Sequence, residues 1–190
     1  MFNSVSHALE AALMADGVDP KDVNKVLRSE GGVDRAFAKL EEIAPHITVW
    51  YRGGSQAAQL MADDEIDFIQ IGNGRADALN ADAKQVGFTW NQATTDADCL
   101  LVPKGAPNRE NAMRVINEML SPEAQARMAV AISYGPVNAK AFETGLISPD
   151  LAAKNNAAPD NMKTQVVIEA GFYVENFAEL QERFDTLVQQ

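Results

Sequence analysis

The chain has 190 residues, enough for one large domain or one and a half ordinary ones, and 46% of them are hydrophobic, enough for a real core. Sixteen basic against 27 acidic residues leave a formal charge of −11, which argues against nucleic acid, because phosphate binding needs clustered Lys and Arg, and favours a cationic ligand or partner. No apolar run approaches the ~20 residues that span a bilayer, Met1 to Ser4 lacks the basic start and apolar core of a secretion signal, the single Cys99 excludes an internal disulfide, and His7 and His46 are too few for a His-rich metal site.

Val5, Ala8, Leu9, Ala12 and Leu13 recur at helical spacing and Asp16-Gly17 stops them. Asp19-Pro20 caps a short helix through Val23, Val26 and Leu27, which Gly31-Gly32 breaks. Val33, Ala36, Phe37, Leu40 and Ile43 form the stripe of a third helix ended by Pro45. Residues 47–51 follow as a β-branched and aromatic strand, and Gly53-Gly54-Ser55 turns into a helix with Ser55 as its cap. Residues 67–71 form a second strand, Gly72-Asn73-Gly74-Arg75 a second strand-to-helix turn, and Ala76, Leu79 and Ala83 the next helix. Residues 86–90 and 99–102 complete four strands, with Cys99 a small buried hydrophobe in the last. Strands alternating with helices mean parallel βαβ units, an α/β class, with ligands bound at the carboxyl ends of the strands, where both glycine turns fall.

Beyond Pro103 the pattern is helical. Asn108 caps one helix, Ser121-Pro122-Glu123 opens another and Ser148-Pro149-Asp150 a short third. Residues 155–161 read as polar connector and residues 166–168 as extended. Asn176 with Glu179 starts a last helix whose Phe177, Leu180, Phe184 and Leu187 share a face. The stretch from Thr94 to Asn108 therefore joins two differently built halves.

Asp96 and Asp98 are two residues apart before an apolar run, so in extended geometry they point the same way and offer an ammonium group charge-assisted hydrogen bonds. The bland alternative is a turn former followed by a solvated strand-entry residue. Gly72-Asn73-Gly74-Arg75 lacks the length and Lys-Ser/Thr ending of a phosphate loop, and Ser55 and Ser133 have no motif-positioned His. Trp50-Tyr51, Trp90 and Phe172-Tyr173 are aromatics for cation wrapping or for core.

Residues 57–65, Asn73-Gly74-Arg75, the Asp98-to-Asn108 crossover, Gly135-Pro136-Val137-Asn138, residues 163–173 and residues 34–40 together resemble the spermidine/putrescine-type solute-binding proteins of bacterial ABC importers. The resemblance implies a periplasmic-binding-protein type II fold present in part, as a carboxyl-terminal portion. One lobe would be nearly complete (residues 1–95), residues 96–108 would be the hinge strand, and residues 109–190 the helical remainder of the other lobe. It implies a periplasmic, non-catalytic protein without cofactor or metal that passes a small cationic, polyamine-like solute to a membrane permease. Asp98 matches the family's amine-gripping acid. Asp96 and Gly72 stand where the family carries aromatics, while Ser55, Gln56, Gly72, Asn73, Phe172 and Tyr173 fall at cleft-facing positions. Two other classes stay open: a ligand-sensing effector domain of a regulator, and a self-associating piece, homodimeric through faces an incomplete lobe leaves uncovered.

Overall fold

Helix α1 (Val5–Ala15) is the axis of the first structural unit. Its Val5, Ala8, Leu9, Ala12 and Leu13 are completely buried, as their spacing predicts. The side chain of Asp19 accepts from the Lys21 backbone N–H at 3.2 Å and opens a single 3₁₀ turn, after which α2 (Val23–Leu27) adds Val23 and Leu27 to the same core. Gly31, at φ +74°, swings the chain into α3 (Gly32–Ile43), whose Ala36, Phe37 and Leu40 are fully buried. A Cβ on Gly32 would lie 1.7 Å from the Val26 carbonyl oxygen, so only glycine fits there.

The computed structural model describes residues 1–81 and 86–189, and the expectation for Ala83 lies outside them. The chain divides into two compact units, Met1–Asp96 with Thr164–Gln190, and Ala97–Lys163. This differs from the expectation that residues 109–190 form one part. The last helix, α10 (Ala170–Val188), turns Phe172, Tyr173, Leu180, Phe184 and Leu187 into the core formed by α1, α2 and α3. Each such large side chain taken fully from water contributes about 1.5–3 kcal/mol, which explains why this helix stays with the first unit. Trp50 meets Phe184 edge-on at 5.4 Å, and the Arg183 guanidinium lies 4.0 Å from the Phe37 ring centre.

The rest of the first unit is α4 (Gly54–Ala62), α5 (Asn73–Ala81) and a two-residue parallel ladder. In that ladder β1 (Thr94–Thr95) pairs with β2 (Val166–Val167), Thr94 opposite Val166. A second small core gathers Tyr51, Ala57 and Leu60 with Phe2, Val49, Ile69 and Ile71. The four strands expected at 47–51, 67–71, 86–90 and 99–102 do not form as ladders among the described residues; only Tyr51 bridges, in parallel, to Phe2. Propensity favours an extended backbone, but a strand exists only where its N–H and C=O groups meet another segment. The apolar side chains there are correspondingly bare: Phe68 is 94% exposed, and Cys99, expected inside, is exposed.

The second unit is helical. It holds α6 (Arg109–Met119), α7 (Pro122–Ile132), α8 (Pro149–Lys154) and α9 (Pro159–Met162), the last inside the stretch expected as connector. Ser121 and Ser148 cap α7 and α8 as expected, each accepting a backbone N–H at 3.3 Å. Asn108 stands at the α6 cap position without a side-chain capping bond. The core is small: Ala126, Ala129, Ala141 and Ile147, with Phe142, Leu151 and Ala152 against it. Among its described residues α6 buries no side chain, and Val115, Met119 and Leu120 are exposed.

Candidate functional site

Three chain segments of the first unit end side by side. Tyr51 donates its hydroxyl proton to the Gln70 carbonyl, and the Gln70 amide donates to Thr94 Oγ1 at 3.1 Å. Residues 47–51, residues 67–71 and β1 are thereby tied at their carboxyl ends. Burial raises the Tyr51 phenol to about 12, so it acts as a donor throughout the physiological range. From these ends leave three turns: Arg52 to Ser55, Gly72 to Arg75, and Asp96.

The first two turns touch. A Cβ on Gly54 would sit 3.2 Å from Arg75 Nε, so the Arg75 side chain lies across the glycine at the start of α4. α4 starts from Gly53 rather than from a Ser55 cap, because the Gly53 carbonyl receives the Ala57 N–H while Ser55 makes no capping bond. Ser55 and Gln56 therefore occupy the exposed first turn of α4, with Gln56 Oε1 accepting from the Arg52 N–H at 3.0 Å. Asn73 opens α5 in the neighbouring turn. Helix starts present backbone N–H groups to anions and carbonyls, and the Arg75 cation strengthens that preference here.

At the third turn sits a residue that sequence reasoning passed over. α1 is interrupted at Ser6 (ψ 146°) and His7 (φ +73°), and the His7 ring leaves the helix. Its Nδ1 lies 2.9 Å from Thr94 Oγ1, its Nε2 lies 3.5 Å from Asp96 Oδ2, and its ring stands edge-on to Phe2 at 5.8 Å. Thr94 has a single hydroxyl proton. Accepting from Gln70, it gives that proton to Nδ1, which places the imidazole proton on Nε2, facing Asp96. The hydrogen bond from His7 holds the Asp96 carboxyl below its ordinary value, so Asp96 is ionised. Gln70 Oε1 is buried without a hydrogen-bond partner among the described residues.

The remaining expected residues are placed differently. Phe172 and Tyr173 are each 6% exposed and belong to the core: Arg28 lies over the Phe172 ring at 5.6 Å, and Tyr173 donates its hydroxyl to Glu10 at 2.8 Å. Glu10 is itself completely buried, and burial raises its carboxyl above the ordinary value despite the Tyr173 bond. Gly72 is exposed, with nothing within 4 Å of where a Cβ would be. Asp98 is exposed, lies in the second unit, and has no hydrogen-bond or ion-pair partner among the described residues. The structure thus joins Ser55, Gln56 and Asn73 at adjoining turns and ties Asp96 to His7. An open groove of about 500 Å³ along residues 61–68 and 86–89 shares none of these residues. Among the described residues no cluster of His, Cys, Asp and Glu could hold a metal, and no helix is long and apolar enough to cross a membrane.

Residues 1–159 match the sequence profile described as bacterial extracellular solute-binding protein. The chain is 32% identical over 179 residues, 94% of its length, to a γ-aminobutyric acid-binding protein of Pseudomonas aeruginosa, of which it covers 50%. It is 25% identical over 130 residues, 67% of its length, to a spermidine/putrescine-binding periplasmic protein of Escherichia coli, covering 36% of that protein. Among solved structures, an ABC transporter substrate-binding protein of Bradyrhizobium japonicum superimposes with a TM-score of 0.85 at 41% identity, over 97% of this chain and 56% of the other. The chain spans at most half the length of these curated relatives, and its fold is that of the periplasmic binding proteins. With more than half of its residues inside the matched profile and a curated relative above 30% identity, the chain belongs to the bacterial extracellular solute-binding protein family.

Proposed function

We propose that the chain is part of the substrate-binding component of an ABC importer, periplasmic in setting, that captures a small amine-bearing solute and hands it to a membrane permease without transforming it. The observation that carries this reading is the meeting of three segment ends in the first unit, with an ionised carboxylate, Asp96, at one exit and two adjoining helix starts at the others. Carboxyl ends of parallel segments are where α/β folds take ligands. Asp98, a carboxylate with no partner among the described residues, anchors the ammonium group. Ser55, Gln56 and Asn73, beside Arg75, receive a polar or anionic end of the solute.

Both polarities are present, which fits an amino-acid-like solute with one ammonium and one carboxylate, the chemistry of the compound named for the P. aeruginosa relative. A polyamine, named for the more distant E. coli relative, carries no anion to use the second feature. Isothermal titration calorimetry at low salt with γ-aminobutyrate, putrescine, spermidine and sucrose tests the reading. Binding confined to the amines, and weakened about tenfold or more by Asp98→Asn, supports it, since a charged hydrogen bond contributes ~1.5–3 kcal/mol. Binding of sucrose alone, of nothing, or with an affinity indifferent to Asp98→Asn, overturns it.

A further inference from the structure

We propose that His7 is a specificity-determining residue that closes Asp96 to ligand ammonium groups, so that the site takes a solute with one ammonium rather than a diamine or polyamine. The inference rests on the solute-binding reading above and deepens it by naming the ligand's charge pattern.

The first support is backbone geometry. His7 is a non-glycine residue at φ +73° inside what would otherwise be a continuous helix. The left-handed conformation is unfavourable for L-residues and persists where surrounding interactions hold it. Here it carries the ring out of the helix to Thr94 and Asp96, residues nearly ninety positions away in the chain. An uninterrupted α1 would continue one turn earlier and would lose both contacts.

The second support is that both ring nitrogens are committed. Nδ1 faces the Thr94 hydroxyl at 2.9 Å, with the Gln70 amide fixing that hydroxyl from its other side at 3.1 Å. Nε2, which then carries the proton, faces Asp96 at 3.5 Å. Phe2 buttresses the ring edge-on, and the His7 side chain is only 17% exposed while that of Asp96 is 68% exposed. The pair is therefore a held imidazole beneath a more mobile, solvent-facing carboxylate. An ammonium group arriving at Asp96 competes with the Nε2 proton for the carboxylate and leaves a half-buried N–H without its acceptor, which is costly. A ligand carboxylate meets no such penalty. Two acids stand in the Asp96-Ala97-Asp98 step, but only Asp98 is unengaged among the described residues. The acid count of the sequence alone suggests room for two ammonium groups, and the structure leaves room for one.

γ-Aminobutyrate and putrescine test this cleanly, because both are four-carbon chains with an ammonium at one end and differ only in the charge at the other. Calorimetry on wild type should give tighter binding of γ-aminobutyrate. His7→Gln frees Asp96 and should shift the affinity ratio at least tenfold toward putrescine, and adding Asp96→Asn to it should abolish that gain. A ratio unmoved by His7→Gln overturns the role of His7 while leaving the solute-binding reading intact. Absence of binding by either amine to wild type overturns that reading and this inference with it. A ligand-independent arm is long-range ¹H–¹⁵N correlation of the His7 ring. Nε2 should carry the proton, and its shift should move in Asp96→Asn with the fold intact by circular dichroism. An unchanged shift shows that the two side chains are not paired and also overturns the proposal.

Discussion

Tyr173→Phe removes one oxygen atom and tests the buried acid at the centre of the first unit. Glu10 is completely buried, Tyr173 donates to its Oε1 at 2.8 Å, and Oε2 has no hydrogen-bond partner among the described residues. Without the phenol, only the backbone N–H groups of His7 and Glu10 remain to stabilise charge there. A hydrogen bond to a charged group contributes about 1.5–3 kcal/mol, and the variant changes packing by little else, so a loss of about 2–3 kcal/mol is expected at pH 7.5. The sign with pH follows from the direction of the shift. Burial raises the Glu10 carboxyl above its ordinary 4.5, so its contribution to stability is full below that value and is lost as pH rises through the folded-state value. Tyr173→Phe raises the folded value further, because the phenol bond had been lowering it. The deficit of the variant therefore belongs to the ionised form and should shrink to about 1 kcal/mol, that of a neutral hydrogen bond, near pH 4.5. Urea unfolding followed by far-ultraviolet circular dichroism at both pH values measures it. A variant as stable as wild type at pH 7.5, or a deficit that does not shrink in acid, refutes the reasoning.

Two further substitutions probe the scaffold. Gly32→Ala places a methyl group 1.7 Å from the Val26 carbonyl oxygen, which only a backbone shift between α2 and α3 can relieve; a loss of about 3 kcal/mol or more in the same unfolding assay is expected, the upper end of overpacking costs. Ser121→Ala removes the cap that accepts the Ala124 N–H at 3.3 Å and should cost about 1 kcal/mol in the second unit, read as a lower urea midpoint for α7 by amide hydrogen exchange, with the amides of α1 unaffected.

Helices were legible wherever local chemistry decides them. The stripes of α1 and α3 and the caps at Asp19, Ser121 and Ser148 lie where periodicity and capping place them, because each depends on residues a few positions apart. What depends on distant residues was not. Residues 67–71 and 99–102 have strand composition, but a ladder needs a second segment, and the periodicity of one segment says nothing about its partner. Asn176 looked like the start of the last helix, yet its side chain donates to the Phe172 carbonyl inside a helix that begins six residues earlier, at Ala170. Phe172 and Tyr173 read as aromatics for a ligand; they are core because α10 turns them toward Arg28 and Glu10, which sequence spacing cannot foresee.

The candidate site was half legible. Its two glycine turns and Asp96 were identified at the ends of apolar runs, where α/β geometry puts ligands. His7 was not, since it was weighed only as a metal ligand and nothing local announces a left-handed residue in the first turn of a helix. The only trace is a histidine following a Ser-rich start. Its meaning appears when the fold brings Thr94 and Asp96 to it.

Gly72 leaves the molecule with an unused degree of freedom. Its backbone is outside the left-handed region, and the space beyond it is open, so the fold places no veto on a large side chain at the exit of one of the three converging segments. Selectivity and stability are uncoupled at that point. A lineage, or an engineer, could refit the binding surface there by single substitutions without passing through a poorly folded intermediate, whereas any comparable change at Gly32 is closed off by the Val26 backbone.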